Sequence, residues 1–242
     1  MRKFGLIGKS LSHSFSKSFF DSYFVSNEID ASYENFEFQD EIELSNFLNQ
    51  KNVDGCNVTI PYKETIIPYL DELSEEATAV GAVNTIHLVN NRWIGYNTDV
   101  FGFKQSIKPF LTNKHEKALI LGTGGAAKAV AYVLKEIGIE VLFVSRSPKG
   151  KNQFGYADAN EYMINACKLI VNATPVGMYP DVDECVVFPF ANLTEEHLVV
   201  DLIYNPEETM FLKQSRENHS TILNGASMLK EQAFKSWAIW NK

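Results

Sequence analysis

Cysteine is scarce in this chain. Its 242 residues include three, Cys56, Cys167 and Cys185, without a CxxC spacing. That count argues against a disulfide framework and against a zinc site. The five histidines, His13, His87, His115, His197 and His219, show no ligand spacing, so no metal is expected. No run approaches the roughly 18 apolar residues of a membrane span. Met1-Arg2-Lys3 leads into an apolar stretch, Phe4 to Gly8, far too short for a signal-peptide core, and no small-residue cleavage site follows. A soluble cytoplasmic protein without a membrane partner is expected. An excess of basic charge is also lacking. The 22 Lys and Arg stand against 30 Asp and Glu, a net charge of -8, so a nucleic-acid partner is not expected. An anionic ligand would need a site built locally from backbone N–H groups, hydroxyls and single cations.

What remains is an ordinary globular composition, 45% hydrophobic and 21% charged. The length fits one large domain or two small ones and allows a substantial core without staples. Aromatic residues, at 12%, supply that core and leave room for a dimer patch, so a monomer and a homodimer both stay open. There is no internal repeat and no low-complexity tract.

The coarse pattern alternates strand and helix, which implies an α/β fold with largely parallel sheets. Residues 4–8 read as a buried strand. Residues 16–25 read as a helix with Phe19, Phe20, Tyr23 and Phe24 on one face. A strand is expected at 33–38. A helix is expected at 41–48, with Ile42, Leu44, Phe47 and Leu48 as its apolar set. A second clear strand spans 53–60 and is stopped by Pro61. Residues 74–80 read as a helix and 82–89 as extended chain. A second unit begins near residue 101. Its strand 117–121, glycine turn, helix 126–137 stopped by Gly138, and strand 140–145 form one βαβ unit. Further strands are expected at 168–172 and 198–203. A closing helix is expected at 227–240, with Ser227 as its N-cap.

Gly122-Thr123-Gly124-Gly125-Ala126-Ala127 lies between a strand and a helix and fits G-x-G-x-x-G/A. Gly122 permits the tight turn, and Gly124 lets the backbone approach a pyrophosphate. The free N–H groups at the helix start then face that anion. Cofactor choice is read at the end of the next strand, where an acid would bind a ribose 2′-hydroxyl and repel a 2′-phosphate. Ser145-Arg146-Ser147-Pro148-Lys149 has no acid. Arg146 can stack on adenine and pair with a 2′-phosphate, and Ser145, Ser147 and Lys149 add donors. NADP is the expected cofactor.

The first half carries polar clusters at strand ends. Ser14 and Ser16 flank Phe15 before the first helix, where hydroxyls and N–H groups suit a carboxylate or simply cap the helix. In Asn57-Val58-Thr59-Ile60-Pro61-Tyr62-Lys63-Glu64, Asn57 and Thr59 alternate on one strand face. Pro61 is expected to throw Tyr62 and Lys63 into a loop. Lys63 could join Asn84, in Gly81-Ala82-Val83-Asn84-Thr85, and Asp99, in Asn97-Thr98-Asp99. Ketone reduction needs a proton donor beside the developing alkoxide, and a lysine oriented by a carboxylate can serve.

Taken together, these motifs resemble the shikimate dehydrogenase family. So do Asn172-Ala173-Thr174-Pro175-Val176-Gly177-Met178, Asp201-Leu202-Ile203-Tyr204 and Asn224-Gly225. They follow the family's order from the first strand, with His13-Ser14-Phe15-Ser16, to the last helix. The resemblance implies a substrate-binding domain at 1–100, completed by a C-terminal helix at 225–242. It implies a Rossmann-type NADP-binding domain at 101–224, with a cleft between the two. It also implies NADPH-dependent reduction of 3-dehydroshikimate, a small cyclic hydroxy carboxylic acid when reduced, in aromatic amino acid biosynthesis. By position, Ser14, Ser16 and Tyr204 resemble the carboxylate-binding hydroxyls. Thr59, Asn84 and Gln232 resemble binders of the ring oxygens. Lys63 resembles the general acid/base and Asp99 its partner. Glu75 falls where the family has an acid near the cofactor. Asn172, Ala173 and Thr174 resemble the loop passing the cofactor, and Leu202 and Gly225 its backbone contacts near the nicotinamide.

The chain departs from the family in three places. Ser145-Arg146-Ser147 stands where the family usually has Asn-Arg-Thr. Ser227 stands where it usually has glycine. Little chain lies between Ser145 and Asn160, so a helix on the adenine side is expected to be trimmed. Within the family, a quinate/shikimate or aminoshikimate dehydrogenase is the rival reading. Outside it, the rival is a dinucleotide-binding regulator that has lost the chemistry, against which Lys63 and Asp99 both speak.

Overall fold

Hydrophobic strands and capped helices divide this chain into two units, Met1–Thr98 with Ala233–Lys242, and Asp99–Gln232. The structure is a computed structural model that describes residues 1–11 and 14–242. His13 of the first motif lies outside the described residues.

The first unit has strands β1 (Arg2–Gly8), β2 (Ala31–Glu37), β3 (Gly55–Val58), β4 (Glu72–Leu73), β5 (Thr85–Val89) and β6 (Arg92–Tyr96). Their order in the sheet is β2-β1-β3-β5-β6-β4. β1 is parallel to β2 and β3, whereas β5 is antiparallel to β3 and β6. This sheet is therefore mixed. β5 itself runs against β3, and a hairpin at Asn90-Asn91 turns the chain back into β6; both residues are at positive φ (49° and 63°), the geometry of a type I′ turn, which asparagine tolerates.

Its helices are α1 (Phe15–Ser26), α2 (Glu41–Gln50), α3 (Tyr62–Thr65) and α4 (Glu75–Val80). Ser14, Asp40 and Ser74 cap α1, α2 and α4 through their side-chain oxygens. Three expectations need correction here. Ile42 is 72% exposed, because it sits two residues before Leu44 and so on the far side of the Leu44–Leu48 stripe. The strand at 53–60 is only Gly55–Val58, which leaves Thr59 outside it. Pro61 opens α3 instead of a loop, since a helix start has no use for the missing N–H. Tyr62 anchors that turn, buried with its hydroxyl donating to Phe38 O at 2.6 Å.

The helix α5 (Thr98–Ile107) opens the second unit from its second residue on, followed by β7 (Lys117–Leu121), α6 (Gly125–Glu136), β8 (Glu140–Val144), β9 (Gln153–Phe154), α7 (Glu161–Ala166), β10 (Leu169–Asn172), β11 (Leu198–Asp201), α8 (Met210–Glu217) and β12 (Thr221–Leu223). The last helix, α9 (Ala226–Trp240), starts here and ends in the first unit. The sheet order is β12-β11-β10-β7-β8-β9, and every pairing is parallel. Parallel strands covered on both faces read as continuous apolar runs, as in Ala118-Leu119-Ile120-Leu121. Ser227 does not cap α9. It is exposed inside the helix, and the Asn224 side chain accepts from Ala226 N–H at 3.2 Å instead.

Each unit has its own core. Leu119, Leu121, Val144, Ile170, Val199 and Phe211 pack together in the second. In the first, Leu44, Leu48, Tyr62, Ile86 and Trp93 form one cluster, and an aromatic cluster of Phe4, Phe20, Phe24, Tyr33 and Trp240 another. Trp240 stacks on Phe4 at 4.6 Å and donates from its indole to Ile86 O at 3.0 Å. Two Thr-x-x-His turns lead toward the N-terminal ends of β7 and β11. Thr112 N–H donates to His115 Nδ1 at 2.9 Å, and Thr194 N–H to His197 Nδ1 at 3.0 Å.

Candidate active site

In the second unit the sheet order reverses between β7 and β10. Open parallel sheets bind ligands beyond the strands' carboxyl ends at such a switch point. Gly122 leaves β7 at φ 104°, a conformation that strains any side chain, and a Cβ there would come within 3.2 Å of Ala173 O. Gly124 is the N-cap of α6 and makes no side-chain cap bond. A Cβ at Gly124 would meet nothing within 4 Å. The first N–H groups of α6, at Gly125, Ala126 and Ala127, thus begin a helix beside open space, which is what a pyrophosphate needs. Thr123 is exposed in this turn.

The loop after β10 is held by side chains. Asn172, fully buried, accepts on Oδ1 from Thr174 N–H at 3.1 Å and from the Thr174 hydroxyl at 2.7 Å. Its Nδ2 donates to Asp201 Oδ1 at 3.1 Å. Ala173 N–H donates to Leu121 O at 2.9 Å, which ties this loop to the glycine turn. The loop after β11 is pressed against the start of α9. A Cβ on Gly225 would lie 2.0 Å from Leu202 O, so only glycine fits. Tyr204 follows in the same loop. The structure thus joins Gly122, Asn172, Ala173 and Thr174 in one group, and Leu202 and Gly225 in a second, linked through Asp201.

At the end of β8, Ser145 is buried and its hydroxyl has no hydrogen-bond partner. Arg146, Ser147 and Lys149 are exposed beyond it. Arg146 lies close enough to Tyr156 to oppose the rise that burial causes in the phenol's pKa. The connection from Ser145 to Asn152 carries no helix, so β8 passes to the parallel β9 by loop alone. An orphaned hydroxyl, two exposed cations and an uncapped helix start suit a dinucleotide with a 2′-phosphate.

In the first unit the candidates gather at the carboxyl ends of β1 and β3. A Cβ on Gly8 would touch both Leu11 and Thr59, which places Leu11, whose carbonyl accepts from Ser14 N–H at 3.0 Å, beside Thr59. The Ser14 hydroxyl accepts from Ser16 N–H at 3.2 Å, and Ser16 is buried. Lys63 O accepts from Val83 N–H at 2.7 Å, and Val58 N–H donates to Asn84 O at 2.8 Å, so Thr59, Lys63 and Asn84 share one neighbourhood. Asn84 Oδ1 accepts from Thr98 N–H at 2.6 Å and its Nδ2 donates to the Thr98 hydroxyl at 3.0 Å. Glu75 belongs to this unit, exposed in the first turn of α4, where a helix favours an acid in any case. Every other cofactor candidate belongs to the second unit. So do Asp99, buried in the first turn of α5, and Gln232 of α9, whose Cβ packs within 3.0 Å of where a Gly102 Cβ would stand.

Sequence reading assigned no role to two residues that organise these sites. Asn57 is the hub of a buried network. Its Oδ1 accepts from the Tyr33 hydroxyl at 2.8 Å, and its Nδ2 donates to Ser236 at 2.8 Å and Thr85 at 3.1 Å. Asp201 is the hub of the other. The available signal was a polar residue inside or ending an apolar strand, Cys56-Asn57-Val58 and Val199-Val200-Asp201.

A doubly wound sheet with a glycine turn, paired in one chain with a mixed α/β unit bearing hydroxyl, amide and ammonium groups at its strand ends, defines the class of α/β dinucleotide-dependent oxidoreductases. Residues 6–86 match the family described as "Shikimate dehydrogenase substrate binding domain". The chain is 38% identical to the shikimate dehydrogenase (NADP(+)) of Clostridium beijerinckii, covering 100% of this chain and 93% of the relative. It matches the structure of shikimate 5-dehydrogenase from Thermus thermophilus in complex with NADP(H) and shikimate with a TM-score of 0.88 at 33% identity, over 99% of this chain and 93% of that one. Quinate dehydrogenase from Corynebacterium glutamicum, in complex with NAD, matches with a TM-score of 0.86 at 30% identity, over 99% and 93%. This chain belongs to the shikimate dehydrogenase family. No described helix is long and apolar enough to cross a membrane.

Proposed function

We propose that the chain is an NADP-dependent shikimate dehydrogenase of the cytoplasm, which interconverts 3-dehydroshikimate and shikimate in aromatic amino acid biosynthesis. The observation that carries this reading is the end-to-end likeness to curated NADP-dependent shikimate dehydrogenases, 38% identical over 100% of the chain. The unit Asp99–Gln232 serves as the cofactor domain, and Met1–Thr98 with the end of α9 as the substrate domain.

Bound NADPH supplies the reducing equivalent. The chain's residues supply position and protons. Ser14, Ser16 and Tyr204 hold the substrate carboxylate with neutral donors, which suits a protein of net charge -8. Thr59, Asn84 and Gln232 fix the ring oxygens. Asn84 is suited to this because Thr98 already holds its amide in one orientation. Lys63 gives a proton to the ketone oxygen and, as the neutral amine, takes it back in the reverse direction. Asp99 is its partner. The N–H groups of Gly125 to Ala127 bind the pyrophosphate, and Ser145, Arg146, Ser147 and Lys149 the 2′-phosphate.

An acid-free turn after β8 favours NADP over NAD, and with it shikimate over the quinate reading. The test is cofactor reduction followed by absorbance with shikimate or quinate and NADP⁺ or NAD⁺. The expected result is the highest kcat/KM for shikimate with NADP⁺. A clear preference for quinate with NAD⁺ would move the chain to the sister activity, and no reduction with any pair would end the reading.

A further inference from the structure

Asp201 ends β11 and is completely buried. Oδ1 accepts from Asn172 Nδ2 at 3.1 Å and from Ile203 N–H at 3.0 Å. Oδ2 accepts from the Thr209 hydroxyl at 2.7 Å. All three donors are neutral, and no cation among the described residues acts on the carboxyl. Joining three loops does not by itself require a charge. An asparagine has the same shape, and a buried anion without a counter-ion is costly. Burial pushes this carboxyl up to about 6, so at neutral pH it is an anion held against that cost. Retention of the charge points to a use for it.

A doubly wound sheet holds one nucleotide on each half. The glycine turn and the basic turn occupy the β7-β8-β9 half. The β10-β11-β12 half is left for the nicotinamide nucleotide, and Asp201 stands at the carboxyl end of its middle strand. The nicotinamide ring is the one part of the cofactor whose charge changes in the reaction, cationic when oxidised and neutral when reduced.

We propose that Asp201 is a positioning residue that also sets the redox preference of the cofactor site: its fixed negative charge favours the cationic nicotinamide of NADP⁺ over the neutral ring of NADPH. This rests on the NADP reading above. The Thr209 hydroxyl, which caps α8 by accepting from Leu212 N–H at 3.2 Å, holds the carboxylate in place. Cys185 feels this charge, and burial pushes its thiol up to about 11, so it stays neutral in the working range.

The test is calorimetric titration of the intact chain with NADP⁺ and with NADPH, each alone, in wild type, Asp201→Asn and Thr209→Val. Asp201→Asn is expected to raise the ratio Kd(NADP⁺)/Kd(NADPH) at least about fivefold, the effect of one unit charge as far as about 17 Å away in an effective dielectric constant of about 20. Thr209→Val removes a hydrogen bond that holds the carboxyl down, so it should move the ratio in the same direction as Asp201→Asn and by less. Should Asp201→Asn fail to fold, the wild type gives the same answer. Its ratio should rise as pH falls from about 8 to about 5 and the carboxyl takes up its proton. An unchanged ratio in Asp201→Asn, or in the wild type across that pH range, overturns the inference while leaving the NADP reading intact. Absence of binding by either cofactor overturns both.

Discussion

The two units prepare their strand ends in opposite ways. In the first, the carboxyl ends of β1 and β3 are backed by a closed network of side chains. Tyr33, Asn57, Thr85, Thr98, Ser236 and Asn84 bond to one another in the interior. In the second, the end of β7 offers backbone N–H groups at an uncapped helix start and open space beside Gly124. The difference matches the ligands proposed. A small ring with several hydroxyls is recognised by side chains that must each be held in one orientation. A pyrophosphate needs only a positive helix end and room to approach.

The largest effect should come from the first unit. Lys63→Ala is expected to cut turnover by about 10²–10⁴, the range for loss of a general acid. The Kd for NADP⁺, set by the second unit, should change little, and near-normal turnover would rule out the role. Next is Asn57→Ala, which removes three buried hydrogen bonds at the hub of the network and should cost about 2–3 kcal/mol in urea unfolding. A loss below about 0.5 kcal/mol would mean that the first unit's network is not the rigid support described. Arg146→Ala sharpens the contrast from the other side. It should weaken NADPH by about tenfold or more and NADH hardly at all. Equal losses on both cofactors would remove the 2′-phosphate argument.

The smallest effect is on pH dependence. Burial, and for His115 the neighbouring His197, lowers the proton affinity of both imidazoles. Burial also lowers that of His87 in the first unit. The unfolded chain therefore binds these protons more tightly, and stability falls as pH drops from above about 6.5 toward the depressed folded values. Asp201 acts in the reverse sense. Its carboxyl is raised to about 6, so the folded state takes up the proton first and gains stability as pH falls further. Urea midpoints should fall as pH drops below about 7, and should fall more steeply in Asp201→Asn, which lacks the opposing proton uptake of the carboxyl. A midpoint that rises between about pH 7.5 and about pH 6 would contradict this.

The glycine-turn unit was the most legible part of the sequence. Apolar runs and a glycine turn are local signals, and β7, α6 and β8 lie within a residue or so of where periodicity puts them, whereas α5, α7, α8, β9 and β12 of the same unit were not foreseen. The first unit hid other features. The β5–β6 hairpin depends on Asn90-Asn91, a turn without the glycine that usually announces one. Ile42 entered the apolar set on composition, although the four-residue spacing of Leu44 and Leu48 excludes it. Asn57 and Asp201 were visible as polar residues in apolar strands, but their roles lie in distant partners. Ser236 is 179 positions from Asn57, and no pattern along the chain connects them. The substrate residues became readable through the ordered motifs shared with a family, not through spacing.

Backbone amide chemical shifts, followed on adding NADP⁺ alone and then shikimate alone, test the division of labour most directly. The account predicts that NADP⁺ moves Gly124 to Ala127, Ala173, Thr174 and Arg146, and that shikimate moves Ser16, Thr59, Lys63 and Asn84. Shifts from NADP⁺ centred on β1 and β3, with the α6 start unmoved, would contradict it.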